Sequence, residues 1–400
     1  MSGPLEGVRV LDLTTVIMGP YATQILGDLG AEVVKVEAPG GDDIRHVGPM
    51  RSRGMGHMFL QLNRGKKSVV LDLKKPGGRE ALLRLAEQAD VFVYNVRPQA
   101  MARLGLAYPD VQAVNPGIVY VGAHGFGQGG PYAARPAYDD LIQGMVGLPW
   151  LIRAAGADEP RFVPATLADH VVGLHLVYAV LGALFHRERT GRGQAVEVPM
   201  FECMAQLVLG DHLSGRAFEP PLGPPGYNRV LAPDRTPFAT RDGHVCVLIY
   251  NDKQWKSFLE LIGRPGLYHE DPRFTTHEER ARHFAELSTF VAEEIRRRTT
   301  EEWLDALARA DIPATAMASL DELIDDPHLA ATGFVREVEH PSEGKLRTTA
   351  PPVRWSDAPG GEIGNAPRLG EHSREVLRAA GYSEDDVTRL VAEGATQLPG

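Results

Sequence analysis

Gly7-Val8-Arg9-Val10-Leu11-Asp12-Leu13 and, shortly after, Leu26-Gly27-Asp28-Leu29-Gly30-Ala31-Glu32-Val33-Val34-Lys35-Val36-Glu37 form the stretch that decides the fold. Residues 8–13 are a short apolar run that reads as a strand. Residues 21–29 read as a helix closed near Gly30, because a glycine just past the last periodic residue is a helix stop. Residues 32–36 return to strand character. The pattern then repeats, with a strand at 68–73, a helix at 78–89, and further strands at 91–94 and 118–121. Short apolar strands separated by helices favour parallel pairing through crossovers, since each strand must be covered on both faces. The first half is therefore an α/β domain.

Further along, residues 171–185 are almost wholly apolar and belong to a helix that runs to about Arg189. Thr190-Gly191-Arg192-Gly193 stops it, and residues 195–198 form another strand. The apolar run is shorter than a bilayer span and contains His175, so it reads as a core or interface helix. Asp169 stands directly before it, where the local reading is a helix cap. From about Pro220 the character changes. Pro221, Pro224 and Pro225 mark a loop, followed by a strand at 243–249, a helix at 252–261 and a charged helical segment at 276–298. Thr299-Thr300-Glu301-Glu302 is a capping box that opens the next helix. A short helix at 320–323, strands at 335–338 and 346–348, and helices at 374–380 and 385–392 complete the chain. The expected organisation is a large domain from 1–218, a small domain from 219–330, and a segment from 331–400 returning to the large domain.

The 400 residues are 43% hydrophobic and 24% charged, which suits a globular protein and leaves no basis for a disordered or fibrous one. The net charge of -10 speaks against general nucleic-acid binding but leaves room for a local basic pocket. With two cysteines, Cys203 and Cys246, there is no disulfide framework and no cysteine-rich zinc site. The polar start resembles no secretory signal, so a cytoplasmic location and no membrane partner are expected. No G-x-G-x-x-G follows the first strand and no Walker A motif replaces it. Gly125-Phe126-Gly127-Gln128-Gly129-Gly130-Pro131 is a glycine-rich loop, a pattern that usually only turns the chain. His170 and His175 lack acidic partners at metal-ligand spacing, so no metal site is expected.

A longer series of segments carries a resemblance. Besides the opening stretch it includes Gly19-Pro20, Asn63-Arg64-Gly65-Lys66-Lys67-Ser68, Leu71-Asp72-Leu73-Lys74, Asn95-Val96-Arg97-Pro98 and Arg103-Leu104-Gly105-Leu106. It continues through Gly125-Phe126-Gly127, Tyr138-Asp139, Gln143, Asp169, Arg189-Thr190-Gly191-Arg192-Gly193-Gln194, Asp271-Pro272-Arg273-Phe274, Asp326-Pro327-His328-Leu329 and Leu369-Gly370-Glu371-His372. In this order the segments resemble CoA-transferase family III, the CaiB/BaiF group, which also contains 2-methylacyl-CoA racemases. The resemblance implies a Rossmann-like large domain with a smaller inserted α+β domain, and an interlocked homodimer. It implies transfer of coenzyme A from an acyl-CoA to a small carboxylic acid, both bound as substrates, with no tightly held cofactor.

In that resemblance Asp169 matches the catalytic aspartate, which passes through an acyl-aspartyl anhydride and an aspartyl-CoA thioester. Arg97, Arg103, Lys74, Leu73, Asn95, Val16 and Tyr138 match positions that bind CoA, and residues 15–18 line the thioester end. Ile17 stands where some transferases carry Gln. Tyr138 stands where the racemases carry the His of a His-Asp pair, with His124 and His170 as the nearby histidines. Residues 221–226 replace a glycine-only loop. Arg45, Arg135 and Arg229 are candidates for a second carboxylate of the acid. The alternatives are a racemase and a non-catalytic CoA-binding dimer.

Overall fold

The computed structural model describes residues 3–358 and 364–399. Among these, six parallel strands and one antiparallel strand form a central sheet. The strands are β1 (Arg9–Leu13), β2 (Glu32–Glu37), β3 (Lys67–Leu71), β4 (Val91–Tyr94), β5 (Val119–His124) and β6 (Gln194–Pro199). In space they run β3-β2-β1-β4-β5-β6, the doubly wound order, in which the connections reverse direction between β1 and β4.

Two compact units make up the chain. The first comprises Met1–Val146, Val163–Leu207 and Pro327–Gly400; the second comprises Gly147–Phe162 and Val208–Asp326. The stretch Gly147–Phe162, expected in the large domain, thus groups with the inserted one. In the second unit β7 (Phe238–Ala239), β8 (His244–Val247) and β9 (Ala314–Ala316) form a small antiparallel sheet. Its core gathers Trp255, Phe258, Phe274, Val291, Trp303 and Leu307. In the first unit β10 (Val335–His340) pairs with β11 (Gly344–Thr349), and β12 (Thr396–Gln397) pairs antiparallel with β3.

Strands β1 to β5 are buried along most of their length, as their crossovers require, while β6 at the edge leaves Ala195 and Glu197 exposed. On one face Leu11, Leu13, Val36, Val69, Leu71, Phe92 and Tyr120 meet residues of the helices Pro76–Ala86, Pro98–Leu104, Ser373–Ala379 and Glu384–Ala392. On the alternate positions the strands carry buried charge. Lys66 Nζ donates to Asp12 Oδ2 (3.0 Å), Lys35 Nζ lies 2.9 Å from Asp42 Oδ2, and Arg45 grips Glu37 with two bonds of 2.7 Å. Burial opposes charge on Asp12, yet Lys66, Lys35 and the hydroxyls of Thr14 and Thr23 hold its carboxyl below the usual range. Burial draws Lys66 down to about 8. Arg45 is 1% exposed and also donates to Gly54 and Pro367 carbonyls, so it is a core residue and is not available to a substrate carboxylate.

The apolar helix spans Leu167–Thr190, 24 residues, longer than the apolar run that marks it in the sequence. Its length and mean hydropathy of 1.6 would suit a membrane span. One face, Val172, Gly173, Leu176 and Val180, is nevertheless buried, and the helix packs on Met18–Asp28, β5 and β6. Gly173 permits the close approach: a Cβ there would lie 2.8 Å from Tyr21 Cδ1 and 3.0 Å from the Met18 carbonyl oxygen. The opposite side leaves Leu174, Tyr178 and Phe185 exposed.

Candidate active site

Open α/β sheets bind ligands beyond the carboxyl ends of their strands, at the point where the connections reverse. Here that point lies between β1 and β4, and the two loops leaving them are joined. The Thr15 N–H donates to Asn95 Oδ1 (3.1 Å), and Asn95 Nδ2 donates to the Thr15 carbonyl (2.9 Å). Asn95, half-buried, therefore braces the loop. Val16, next along, has a φ of 70° and is half-buried.

Past Asn95, Pro98 sits at the first position of the Pro98–Leu104 helix, where a missing N–H costs nothing. Arg97 is its N-cap residue and Arg103 lies in its last turn, and both are exposed. The helix ends on Gly105 at a φ of 64°. A Cβ there would lie 2.6 Å from Arg79 Nη2, whose guanidinium donates to the Leu104 and Gly105 carbonyls. Lys74 is exposed in the turn after β3, with its N–H on Asp72 Oδ1 (3.1 Å); Leu73 is half-buried against the core. Among the described residues Arg97, Arg103 and Lys74 enter no ion pair; Lys74 and Arg97 each lie three residues past the ends of β3 and β4, and Arg103 lies at the far end of the Pro98–Leu104 helix.

Asp169 is not a helix cap. The N-cap is Thr166, and Asp169 lies in the first turn, inside the helix. Its N–H donates to Asp139 Oδ2 (2.9 Å). Asp139 is buried; Gln143 Nε2 donates to its other oxygen and to the Ala165 carbonyl, and Gln143 Oε1 accepts from the Val163 N–H. Asp139 and Gln143 thus clamp the irregular segment leading into the Asp169 helix. Burial first, and then the charge of Asp139, push the Asp169 carboxyl up to about 7. A helix N-terminus favours an ionised acid, but here that effect is outweighed. The Leu167 N–H is likewise spent on the Ala165 carbonyl (2.7 Å), so two of the first-turn donors are already engaged.

Tyr138, by contrast, is 67% exposed as the N-cap residue of Asp139–Met145. Of the Tyr138-Asp139 pair it is Asp139 that touches Asp169. Sequence reading missed this role; the signal was present, because Tyr138-Asp139 and Gln143 lie one helical turn apart and would point the same way. His170 sends Nδ1 to the Thr166 carbonyl (2.7 Å) and meets Tyr21 edge-on at 4.7 Å. His124 is buried, and burial lowers its pKa to about 4. It lines a cavity of about 350 Å³ with Tyr94, Tyr108, Tyr120, Gln128 and Glu197, a group that includes neither Asp139 nor Asp169.

The glycine-rich loop is not an anion cradle. The N–H groups of Gly127 and Gln128 donate to Glu202 Oε1 (3.0 Å) and Glu197 Oε1 (2.6 Å). Arg135 lies over the Tyr132 ring at 3.9 Å, and Arg229 is an exposed residue of the second unit near Tyr250. Residues 221–226 are tied back by Leu222 N–H to the Gly215 carbonyl and Gly226 N–H to the His212 carbonyl. Among the described residues no three His, Cys, Asp or Glu side chains are grouped to hold a metal.

Comparison with known proteins places this architecture. The model of CoA-transferase family III matches residues 5–373. The mouse succinyl-CoA:glutarate CoA-transferase is 33% identical over 98% of this chain and 90% of its own length. The formyl-CoA:oxalate CoA-transferase of Streptomyces coelicolor is 34% identical over 98% of each. A crystal structure of a CaiB/BaiF family protein from Brucella suis, 31% identical, superposes with a TM-score of 0.81 over 95% of this chain and all of that one. With the doubly wound sheet and the ordered motifs already described, these matches establish that the chain belongs to CoA-transferase family III.

Proposed function

We propose that this chain is an acyl-CoA:carboxylate CoA-transferase with Asp169 as its nucleophile. The observation that carries the reading is the setting of Asp169: a mostly buried carboxylate that no cation among the described residues neutralises, held by its own N–H against Asp139. The Asp169 carboxylate attacks the donor thioester carbonyl; the C–S bond breaks and CoA leaves as thiolate, giving a mixed anhydride. The thiolate then attacks the aspartyl carbonyl and expels the donor acid, leaving an aspartyl-CoA thioester. The acceptor carboxylate and the same thiolate repeat the two steps in reverse. No proton is gained or lost, and the thioester energy stays in covalent intermediates.

CoA is a polyanion, and Arg97, Arg103 and Lys74 are the cations available to it beyond the ends of β3 and β4. Leu73, Asn95, Val16 and Tyr138 complete the proposed subsite. The exposed Leu174, Tyr178 and Phe185, which share one helix face, support a homodimer that covers them. A cytoplasmic location fits a CoA-dependent reaction. The positions of His124 and His170 favour transfer over racemisation, which needs a second base directed at the substrate 2-carbon.

The test is to incubate the protein with succinyl-, acetyl- and aromatic acyl-CoA donors, trap with hydroxylamine or borohydride, and digest for mass spectrometry. An adduct on Asp169 is expected. Exchange of the 2-proton with solvent and no adduct would establish the racemase instead, and inertness toward every donor would leave a CoA-binding protein.

The pH profile follows from the same geometry. Protonated Asp169 cannot attack, so the exchange rate should fall as pH drops through about 7 in the free enzyme. Asp139→Asn removes a negative charge while keeping an acceptor for the Asp169 N–H. The acid limb should then move down by about one unit. A limb that stays in place would show that burial alone sets it.

A further inference from the structure

Val16 stands in a conformation that a β-branched residue avoids. Its φ of 70° is left-handed, where Cβ crowds the neighbouring carbonyl. Such a residue persists only where surrounding contacts over-determine it. Thr15 is held on one side by Asn95, as described. On the other side, the Val16 N–H donates to Asp42 Oδ1 at 3.0 Å.

Asp42 is built in rather than incidental. It is 1% exposed, and its own N–H donates to Glu37 Oε2 (3.1 Å). Its Oδ1 also accepts the Ile44 N–H (3.2 Å), and its Oδ2 faces the fully buried Lys35 ammonium. Lys35 in turn donates to the Thr14 carbonyl (2.9 Å), so one buried ion pair holds the loop at Thr14 and at Val16. Directly after this loop comes the Met18–Asp28 helix, which touches the Asp169 helix through Tyr21 on His170 and through Met18 on Gly173. Val16 therefore stands between the β1/β4 crevice and a helix that packs on the one carrying Asp169.

We infer that Asp42 is a positioning residue for the CoA subsite, acting by holding Val16 left-handed at the mouth of the β1/β4 crevice. The identity of the ligand rests on the transferase reading; the mechanical role does not. Asp42→Asn keeps the size of the side chain but turns an amide NH2 toward Lys35 or withdraws the acceptor from Val16. Glycine at position 16 holds a φ of 70° without help. The two changes should therefore be coupled.

The experiment is a double-mutant cycle on the full chain, with Asp42→Asn, Val16→Gly and both together, reading the dissociation constant for coenzyme A by calorimetry and the exchange rate separately. Asp42→Asn should weaken CoA binding by about tenfold, and adding Val16→Gly to it should recover about fivefold. A merely structural Asp42 would give the same factor for Val16→Gly in both backgrounds. That result, or unchanged CoA affinity in Asp42→Asn, overturns the inference. If Asp42→Asn does not fold, the unaltered protein decides. Its Val16 amide should exchange with deuterium at least about a hundredfold more slowly than in a free peptide, and free-peptide exchange overturns the inference. Coupled CoA binding without any acyl exchange would sink the transferase reading alone, while a wild-type protein that binds no CoA sinks both.

Discussion

Asp169→Asn is expected to abolish CoA exchange, by at least about 10³-fold, and at the same time to make the protein more stable at neutral pH. The two effects share one cause. The folded protein raises the Asp169 carboxyl to about 7 from an ordinary value near 3.8, so the fold prefers this group protonated. Its contribution to stability is therefore fully present below the unfolded value and is lost as pH rises through about 7. Asparagine does not titrate. The variant should match the wild type near pH 4 and exceed it by roughly 2 kcal/mol at pH 8, with the full shift discounted for residual solvent access. Urea unfolding at both pH values, paired with the exchange assay, checks this. Retained exchange would remove Asp169 as nucleophile, and a variant less stable at pH 8 would mean that the carboxylate is held by contacts favouring its charge.

Arg45→Ala should cost about 3–5 kcal/mol of folding stability, a loss typical of breaking one side of a buried pair. In sequence this arginine was a candidate for substrate binding. In the structure its guanidinium makes two bonds to Glu37, reaches the Gly54 and Pro367 carbonyls and lies 3.7 Å over the Phe59 ring. Its loss leaves Glu37 buried with only Ser68 Oγ and the Asp42 N–H as donors among the described residues. Denaturant titration should show the drop, and the surviving folded fraction should keep its preference among acceptor acids. A change of acceptor preference with stability intact would return Arg45 to the substrate.

Much of the fold was legible because a parallel sheet writes itself as apolar runs at crossover spacing. The strands β1 to β6 and the helices Met18–Asp28 and Pro76–Ala86 fall within a few residues of their expected bounds, and the Thr299 capping box opens its helix as read. The helix expected over 276–298 is instead two, broken at His283, where the backbone (φ -102°, ψ 26°) leaves the helical region. The Pro98–Leu104 helix was not expected from the sequence, although a proline at the first helical position is a start signal. Along β1 and β2 the charged Asp12, Lys35 and Glu37 alternate with apolar residues, and in the structure these charges are paired in the interior. Alternation along a strand does not tell water from a buried counter-ion.

The candidate site was legible only as single residues. Asp169 was singled out only through the chain-wide resemblance, its partner Asp139 lies 30 positions earlier, and Asp42 reads locally as part of a glycine turn. Which acids meet, and which backbone is held, are set by long-range packing.

The interrupted course of the first unit bears on how the molecule would survive cleavage. Its third segment is stitched to the first by the β12–β3 pairing, by Arg45 on Pro367, by Gly65 N–H on the Asn365 carbonyl, and by Ser68 Oγ accepting the Gly370 N–H. A protease that nicks the exposed proline-rich stretch near Pro224 would sever the chain without separating the halves of that sheet. The nicked protein should run as one particle in native sedimentation and as two fragments in detergent, so the peptide bond there is dispensable to the unit that carries Asp169.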